Sequence, residues 1–197
     1  MGYLKIIIGP MYSKKTSMLI DIYNDLKYIK QDCQCYIINQ DELLAINYDK
    51  DTRYGINKIV SHDKKEIDCI SINNLDELLY NQEDKDKFNS AKFIFINEAQ
   101  FFPNLKSWVL NQIEVNNKHI ILCGLDSDYK REKFGEILDL IPHADSLIKL
   151  YGNCGYNNCT NKSLFTHRLS FEKEQEVIGT DNYIPVCREC YNKINKL

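Results

Sequence analysis

A short apolar strand that runs straight into a lysine-bearing loop and then into a helix constrains this chain more than any other passage. Tyr3 to Ile8 is the strand, Gly9-Pro10-Met11-Tyr12-Ser13-Lys14-Lys15-Thr16 is the loop, and residues 16–30 carry the helical pattern. Backbone N–H groups at such a helix start, with the positive end of the helix dipole, form a cradle for phosphate. In that cradle Lys15 would reach the β- and γ-phosphates of a nucleotide, and the Thr16 hydroxyl would sit on Mg²⁺. The pattern G-x-x-x-x-G-K-[ST] has glycine where this chain has Lys14. A side chain there costs about 1–3 kcal/mol if the backbone must be left-handed. The competing reading is a lysine-rich turn that holds no ligand.

Further apolar, β-rich runs at residues 35–39, 92–96, 119–124 and 146–150 alternate with helical patterns at 75–80, 104–115 and 134–140. That alternation predicts an α/β fold, a largely parallel sheet flanked by helices. Between Asn47 and Ile72 the chain is polar and turn-rich, which reads as an exposed hairpin or loop. From Tyr151 onward cysteine, asparagine, glycine and charged residues dominate, so the expected division is a core over residues 1–150 and a subdomain over 151–197. In open parallel sheets ligands bind at the carboxyl ends of strands. Phe93-Ile94-Phe95-Ile96 ends in Asn97-Glu98, which makes Glu98 the candidate general base toward an attacking hydroxyl. Asn97 stands where a metal-orienting aspartate is expected. A plain helix cap ahead of Pro103 is the competing reading.

A formal net charge of −3 provides no global attraction to nucleic acid or anionic lipid, so a phosphate site must be local and its ligand small. No apolar run is long enough to span a bilayer, and the opening MGYLKIIIGP is too short in its apolar part for a secretory leader. The expected compartment is therefore reducing and cytoplasmic, which argues against a disulfide framework for the eight cysteines. Cys154-x4-Cys159 and Cys187-x2-Cys190 stand 27 residues apart, the layout of two knuckles closing on one structural Zn²⁺. Metal-free core cysteines, or His167 in place of one thiolate, are the alternatives. Cys33, Cys35, Cys69 and Cys123 read as small buried hydrophobes.

Taken in this order, the chain resembles the type II thymidine kinases over nearly its whole length. The residues that carry the resemblance are Ile8-Gly9-Pro10-Met11-Tyr12-Ser13, Lys50-Asp51-Thr52-Arg53-Tyr54 with Ser61-His62-Asp63, and Glu98-Ala99-Gln100-Phe101-Phe102-Pro103. Gly124-Leu125-Asp126, Phe134-Gly135, Phe165-Thr166-His167-Arg168-Leu169, Glu176-Val177-Ile178-Gly179 and Tyr183-Ile184-Pro185-Val186-Cys187-Arg188 complete the set. The resemblance implies a P-loop NTPase-like core and a zinc-held lasso loop over the base. It implies transfer of the γ-phosphoryl of ATP to the 5′-hydroxyl of thymidine with Mg²⁺, in a salvage route to DNA precursors. It also implies a homotetramer and feedback inhibition by dTTP; the charge and the lack of a long apolar run argue against nucleic acid and membrane as partners, and a zinc-ribbon nucleic-acid binder is disfavoured because residues 154–190 lack a basic, aromatic-interleaved face.

Residue by residue, the resemblance makes Glu98 the base, and Arg53 and Arg168 charge partners of the transferring group. It gives the nucleotide to Gly9 through Thr16 together with Asn97 and Gln100. Met11, Phe101, Leu125, Tyr129, Phe134 and Tyr183 become the pocket around thymine, with Thr166 and the backbone near Ile178 and Gly179 on the base edge. The chain departs from the pattern at Lys14, at Asn97, and in a turn over residues 178–183 that is one residue shorter. Lysine for glycine and asparagine for aspartate each add one positive unit, which favours holding nucleotide while weakening Mg²⁺ capture. Two functions follow: an active thymidine kinase, or a catalytically impaired nucleotide-binding relative acting as a sensor or oligomer partner.

Overall fold

A computed structural model describes residues 1–28, 38–50, 57–172, 174–175 and 182–196. In chain order the elements are β1 (Tyr3–Ile8), α1 (Lys15–Tyr28), β2 (Leu43–Tyr48), β3 (Lys58–Val60), β4 (Glu66–Asp68) and β5 (Ile70–Ile72). Then come α2 (Gln82–Ser90), β6 (Phe93–Ile96), α3 (Leu105–Leu110), β7 (His119–Gly124) and β8 (Ser146–Lys149). The last part holds β9 (Gly152–Asn153), β10 (Lys162–Ser163), β11 (Phe165–Arg168), β12 (Tyr183–Val186) and α4 (Arg188–Asn195).

Strands β5-β2-β6-β7-β1-β8 form one sheet in that order, and every neighbouring pair is parallel. A parallel sheet needs cover on both faces, and the inner strands are apolar on both. Ile6, Ile8, Ile94, Ile96 and Leu122 pack with Phe102, Leu105, Val109 and Ile137 on one face. Ile7, Phe95, Ile121 and Cys123 pack against Leu19 and Ile20 of α1 on the other. Odd and even positions of β1 thus serve opposite cores, as the two-residue period of a strand dictates. Beyond β8, two small antiparallel pairs, β9 with β10 and β11 with β12, cluster with α4 around Val186 and Tyr191.

The expected strands at 3–8, 92–96, 119–124 and 146–150 are present to within one residue. The expected strand at 35–39 is not borne out: residues 35–37 lie outside the described residues, Ile38 and Asn39 are not in a strand, and β2 fills the place beside β6 instead. All six residues of β2 are buried, but Asn47 and Tyr48 at its end break the apolar run, and the sequence reading assigned Asn47 to the polar stretch. Within that stretch β3 and β4 do form a hairpin, whereas β5 joins the main sheet. The expected helices at 75–80 and 134–140 are 3₁₀ segments, Leu75–Leu79 and Ile137–His143.

Helix α2 has no counterpart in the sequence reading, because Phe88 is its one buried residue. Asn81 caps its start by accepting from the Asp84 N–H at 2.9 Å. At its other end the buried Lys118 ammonium donates to the carbonyls of Phe88 at 2.7 Å and Ala91 at 2.6 Å, satisfying orphan carbonyls that no local pattern reveals.

Candidate active site

Strand β1 leads into Gly9, where a Cβ would stand 2.4 Å from the Leu150 carbonyl oxygen, so only glycine passes. The loop then reaches α1 through two left-handed side-chain-bearing residues, Tyr12 at φ 62° and Lys14 at φ 65°. The position where the phosphate-loop pattern has glycine therefore demands the backbone that glycine favours, and Lys14 adopts it under strain. Lys15 is buried, and its ammonium donates to the Pro10 carbonyl at 2.8 Å. Replacing Lys14 with glycine is expected to stabilise the protein by about 0.5–1 kcal/mol, the left-handed penalty less the added chain entropy. A urea titration without nucleotide checks this; an unchanged or lower midpoint would show that the backbone there is not strained.

At the end of β6, Asn97 is buried beneath this loop. Its Oδ1 accepts from the Thr16 hydroxyl at 3.2 Å and from the Cys123 thiol at 3.2 Å, while its Nδ2 donates to Asn47 Oδ1 at 2.9 Å. Burial, and then the charge of Glu98, push the Cys123 thiol up to about 12, so it keeps its proton and donates. The amide is thus the hub of a neutral network that joins β2, β6, β7 and α1. Its neighbour Glu98 is left-handed at φ 51° and half-buried. Gln100 Nε2 donates to Glu98 Oε2 at 2.8 Å, and Gln100 Oε1 accepts from the Leu125 N–H at 3.0 Å. Gln100 is held in turn by Gly135, where φ is 60° and a Cβ would lie 2.1 Å from the Gln100 carbonyl oxygen.

Facing these groups across a cavity of about 370 Å³ is an aromatic wall. Phe101 stacks on Tyr48 with centroids 4.9 Å apart and meets Phe134 edge-on at 5.1 Å. Thr166 of β11 reaches from the small subdomain to the loop, its hydroxyl oxygen accepting from the Met11 N–H at 3.0 Å. A hydroxyl that accepts still has its proton to donate. Ser17 and Asp63 also line the cavity, Ser17 donating to Asp63 Oδ1 at 2.6 Å. Hydrogen bonds from Ser17 and then Ser61 hold the Asp63 carboxyl down to about 2, so it is ionised at neutral pH.

The cavity lining includes Met11, Tyr12, Ser13, Lys14, Lys15 and Thr16 of the loop, and Asn97, Glu98, Gln100 and Phe101 from the end of β6. Leu125, Tyr129, Phe134, Thr166 and Tyr183 line it too, as the sequence reading expected. Arg168 does not: it lies buried, its guanidinium turned to Tyr183 and to backbone carbonyls. The expected contact with the transferring group is therefore not formed by the residues that line the cavity here. Arg53, Ile178 and Gly179, and most of the shortened turn, lie outside the described residues.

The sequence does not mark Asn47, Tyr48, Asp63, Asp128, Gln175 and Cys123 as site residues, although Asp63 lies in the Ser61-His62-Asp63 motif. The buried run Leu43-Leu44-Ala45-Ile46 was the available signal for Asn47 and Tyr48, since polar residues at the end of a buried strand face ligand.

The sulfur atoms of Cys154, Cys159, Cys187 and Cys190 all lie within 4.8 Å of one another, a group that can hold a metal ion. Backbone N–H groups support it, that of Cys187 donating to Cys154 Sγ at 3.3 Å and that of Cys190 to Cys187 Sγ at 3.4 Å. His167 is outside the group and meets the Tyr191 ring edge-on. Among the described residues no helix is long and apolar enough to cross a membrane.

The thymidine kinase family model matches residues 2–191. The chain is 36% identical to the thymidine kinase of Yaba monkey tumor virus (strain VR587) over 195 residues, 98% of this chain and 97% of the viral protein. It is 34% identical to the cytosolic thymidine kinase of Cricetulus griseus over 194 residues, covering 98% of this chain and 74% of that protein. The thymidine kinase of Oryza sativa subsp. japonica is 35% identical over 194 residues, 96% of this chain and 66% of the rice protein.

Proposed function

The chain belongs to the thymidine kinase family, and from that premise we propose that it transfers the γ-phosphoryl group of ATP to the 5′-hydroxyl of thymidine. The observation that carries this reading is one cavity with the lysine-bearing loop, a fixed carboxylate and an aromatic wall around it. The loop N–H groups and Lys15 would bind the triphosphate. Glu98, oriented by Gln100, would take the proton of the 5′-hydroxyl as its oxygen attacks the γ-phosphorus and the bond to ADP breaks. Phe101, Phe134 and Tyr183 would hold the base by its faces, and Thr166 would donate to its edge.

Thr16 would hold Mg²⁺: its O–H proton goes to Asn97, which leaves the oxygen lone pairs for the ion. The ion supplies charge neutralisation on the phosphate oxygens. The four cysteines fit Zn²⁺, because a Zn–S bond of about 2.3 Å in a tetrahedron sets sulfur atoms about 3.8 Å apart. Cys159 and Cys187 stand at 3.8 Å. A homotetramer and inhibition by dTTP belong to the same proposal.

The test is transfer of labelled γ-phosphate from ATP to thymidine by the purified protein; nucleotide binding without transfer would favour the impaired relative. That second reading rests on the neutral Asn97 hub and on Lys14. Asn97→Asp would keep both donors on its carboxylate and require only that the Asn47 amide turn its Nδ2 inward. Combined with Lys14→Gly, it is expected to lower the Mg²⁺ concentration for half activity about tenfold, by restoring charge at the metal. Mn²⁺ titration of the nucleotide complex reads the same change without turnover. If the parent needs no more metal than the double variant, these residues are a working alternative to the family arrangement.

A further inference from the structure

Arg168 closes β11 with 4% of its surface exposed. Its Nε and one Nη2 hydrogen bond go to the Tyr183 hydroxyl, at 3.1 and 2.7 Å. Nη1 donates to the Glu172 carbonyl at 3.1 Å and to that of Glu174, and Nη2 to the Gln175 carbonyl at 2.9 Å. A guanidinium has five N–H groups, so these contacts use all of them and none remains for a phosphate. Its Cζ lies over the Tyr129 ring, 3.9 Å from the centroid, and 5.1 Å from the centroid of Tyr183.

Three of the residues that Arg168 touches lie on the cavity. Tyr129, Tyr183 and Gln175 all line it. Gln175 Nε2 further donates to Asp128 Oδ2 at 3.0 Å and to the Lys133 carbonyl at 3.2 Å. Asp128 Oδ1 accepts the N–H groups of Lys130 and Glu132 at 2.8 and 2.9 Å, which fixes the turn that carries Tyr129. Two segments far apart in sequence, one bearing Tyr129 and one bearing Gln175, are thereby joined both by the Arg168 cation and by the Gln175 side chain.

We propose that Arg168 is a positioning residue that sets the nucleoside end of the cavity by binding Tyr129, Tyr183 and the Glu172, Glu174 and Gln175 carbonyls into one unit, without touching the transferring phosphoryl group. The proposal rests on the thymidine kinase reading of the same cavity. Lysine keeps the charge but offers three donors from one point, so it cannot serve acceptors arranged around a planar fork.

The experiment is steady-state kinetics of Arg168→Lys with thymidine and ATP varied separately, beside direct thymidine binding by calorimetry. The expected result is a rise of about 30-fold in thymidine KM and Kd, equivalent to losing two or three hydrogen bonds. ATP KM and kcat at saturating thymidine should stay within about threefold. A group acting on the transition state would give the opposite split: kcat lower by about 10³-fold at saturation with thymidine Kd unchanged, and that result overturns the proposal. Should Arg168→Lys not fold, Gln175→Ala removes the tie to Asp128 and leaves the guanidinium in place. It is expected to show the same split at about tenfold, and unchanged thymidine binding would count against the unit. If the parent binds thymidine but does not phosphorylate it, the kinase reading fails while the binding comparison still decides Arg168. If the parent neither binds nor phosphorylates thymidine, both fall.

Discussion

Glu98→Gln is expected to lower kcat by about 10²–10⁴-fold while nucleotide Kd changes less than about threefold. The side chain is half-buried on a left-handed residue, so its aim is set by the backbone and by Gln100 rather than by solvent. The introduced amide has the same shape, and its oxygen can still accept from Gln100 Nε2, so the loop, the aromatic wall and the Gln100 to Leu125 tie should persist. What is lost is the ability to take a proton, which matters only as the phosphoryl group moves. Ground-state binding of nucleotide should therefore survive. Single-turnover phosphorylation of thymidine, with nucleotide binding measured in parallel, checks both halves. Turnover at the parent rate would remove Glu98 from the role of base.

Cys187→Ser is expected to remove about one zinc per chain and to lower the thermal transition by about 10 °C or more, since structural metal binding is coupled to folding. Cys187 is the most connected of the four: its sulfur accepts from the Cys190 N–H at 3.4 Å and the Asn161 amide at 3.7 Å. The metal group sits under the β11/β12 pair and α4, around Val186 and Tyr191. Tyr191 in turn donates its hydroxyl to the Tyr129 carbonyl at 2.9 Å. Loss of the metal should thus reach the thymidine pocket through Thr166, Tyr183 and Tyr129, raising thymidine KM. The main sheet lies in separate clusters and should retain its helical and strand content. Elemental analysis, calorimetry and circular dichroism on parent and variant decide the matter. A parent that is stable and fully active without zinc would show that the four thiols need no metal.

Features carried by a few consecutive residues were legible before the fold was known. The loop over residues 9–16, Glu98 at the end of an apolar strand, and the spacing of the four cysteines each express a local requirement: a phosphate cradle, a polar strand end, a metal tetrahedron. The strained backbone at Lys14 was legible too, because a left-handed turn is set by its own few residues. Strand β2 was not, although Leu43-Leu44-Ala45-Ile46 is an apolar run, because Asn47 and Tyr48 at its end merge with the polar stretch that follows. Helix α2 stayed hidden because caps and a distant lysine, rather than an apolar stripe, hold it.

What only the tertiary structure decided is which side chains meet. Cys123 reads alone as a small hydrophobe, and becomes a thiol donor because strand order sets it beside Asn97, 26 residues away. Thr166 reaches Met11 across 155 residues, and Arg168 has the charge of a phosphate partner but is turned by Tyr183 and three carbonyls into a fastening point. The amino-acid pattern by itself determined the phosphate loop, the polar end of β6 and the cysteine pairs, because backbone preference and hydrophobic period act over a few residues. The partners were left to the sheet, because hydrogen bonds between distant residues depend on strand order and register, which no local pattern encodes.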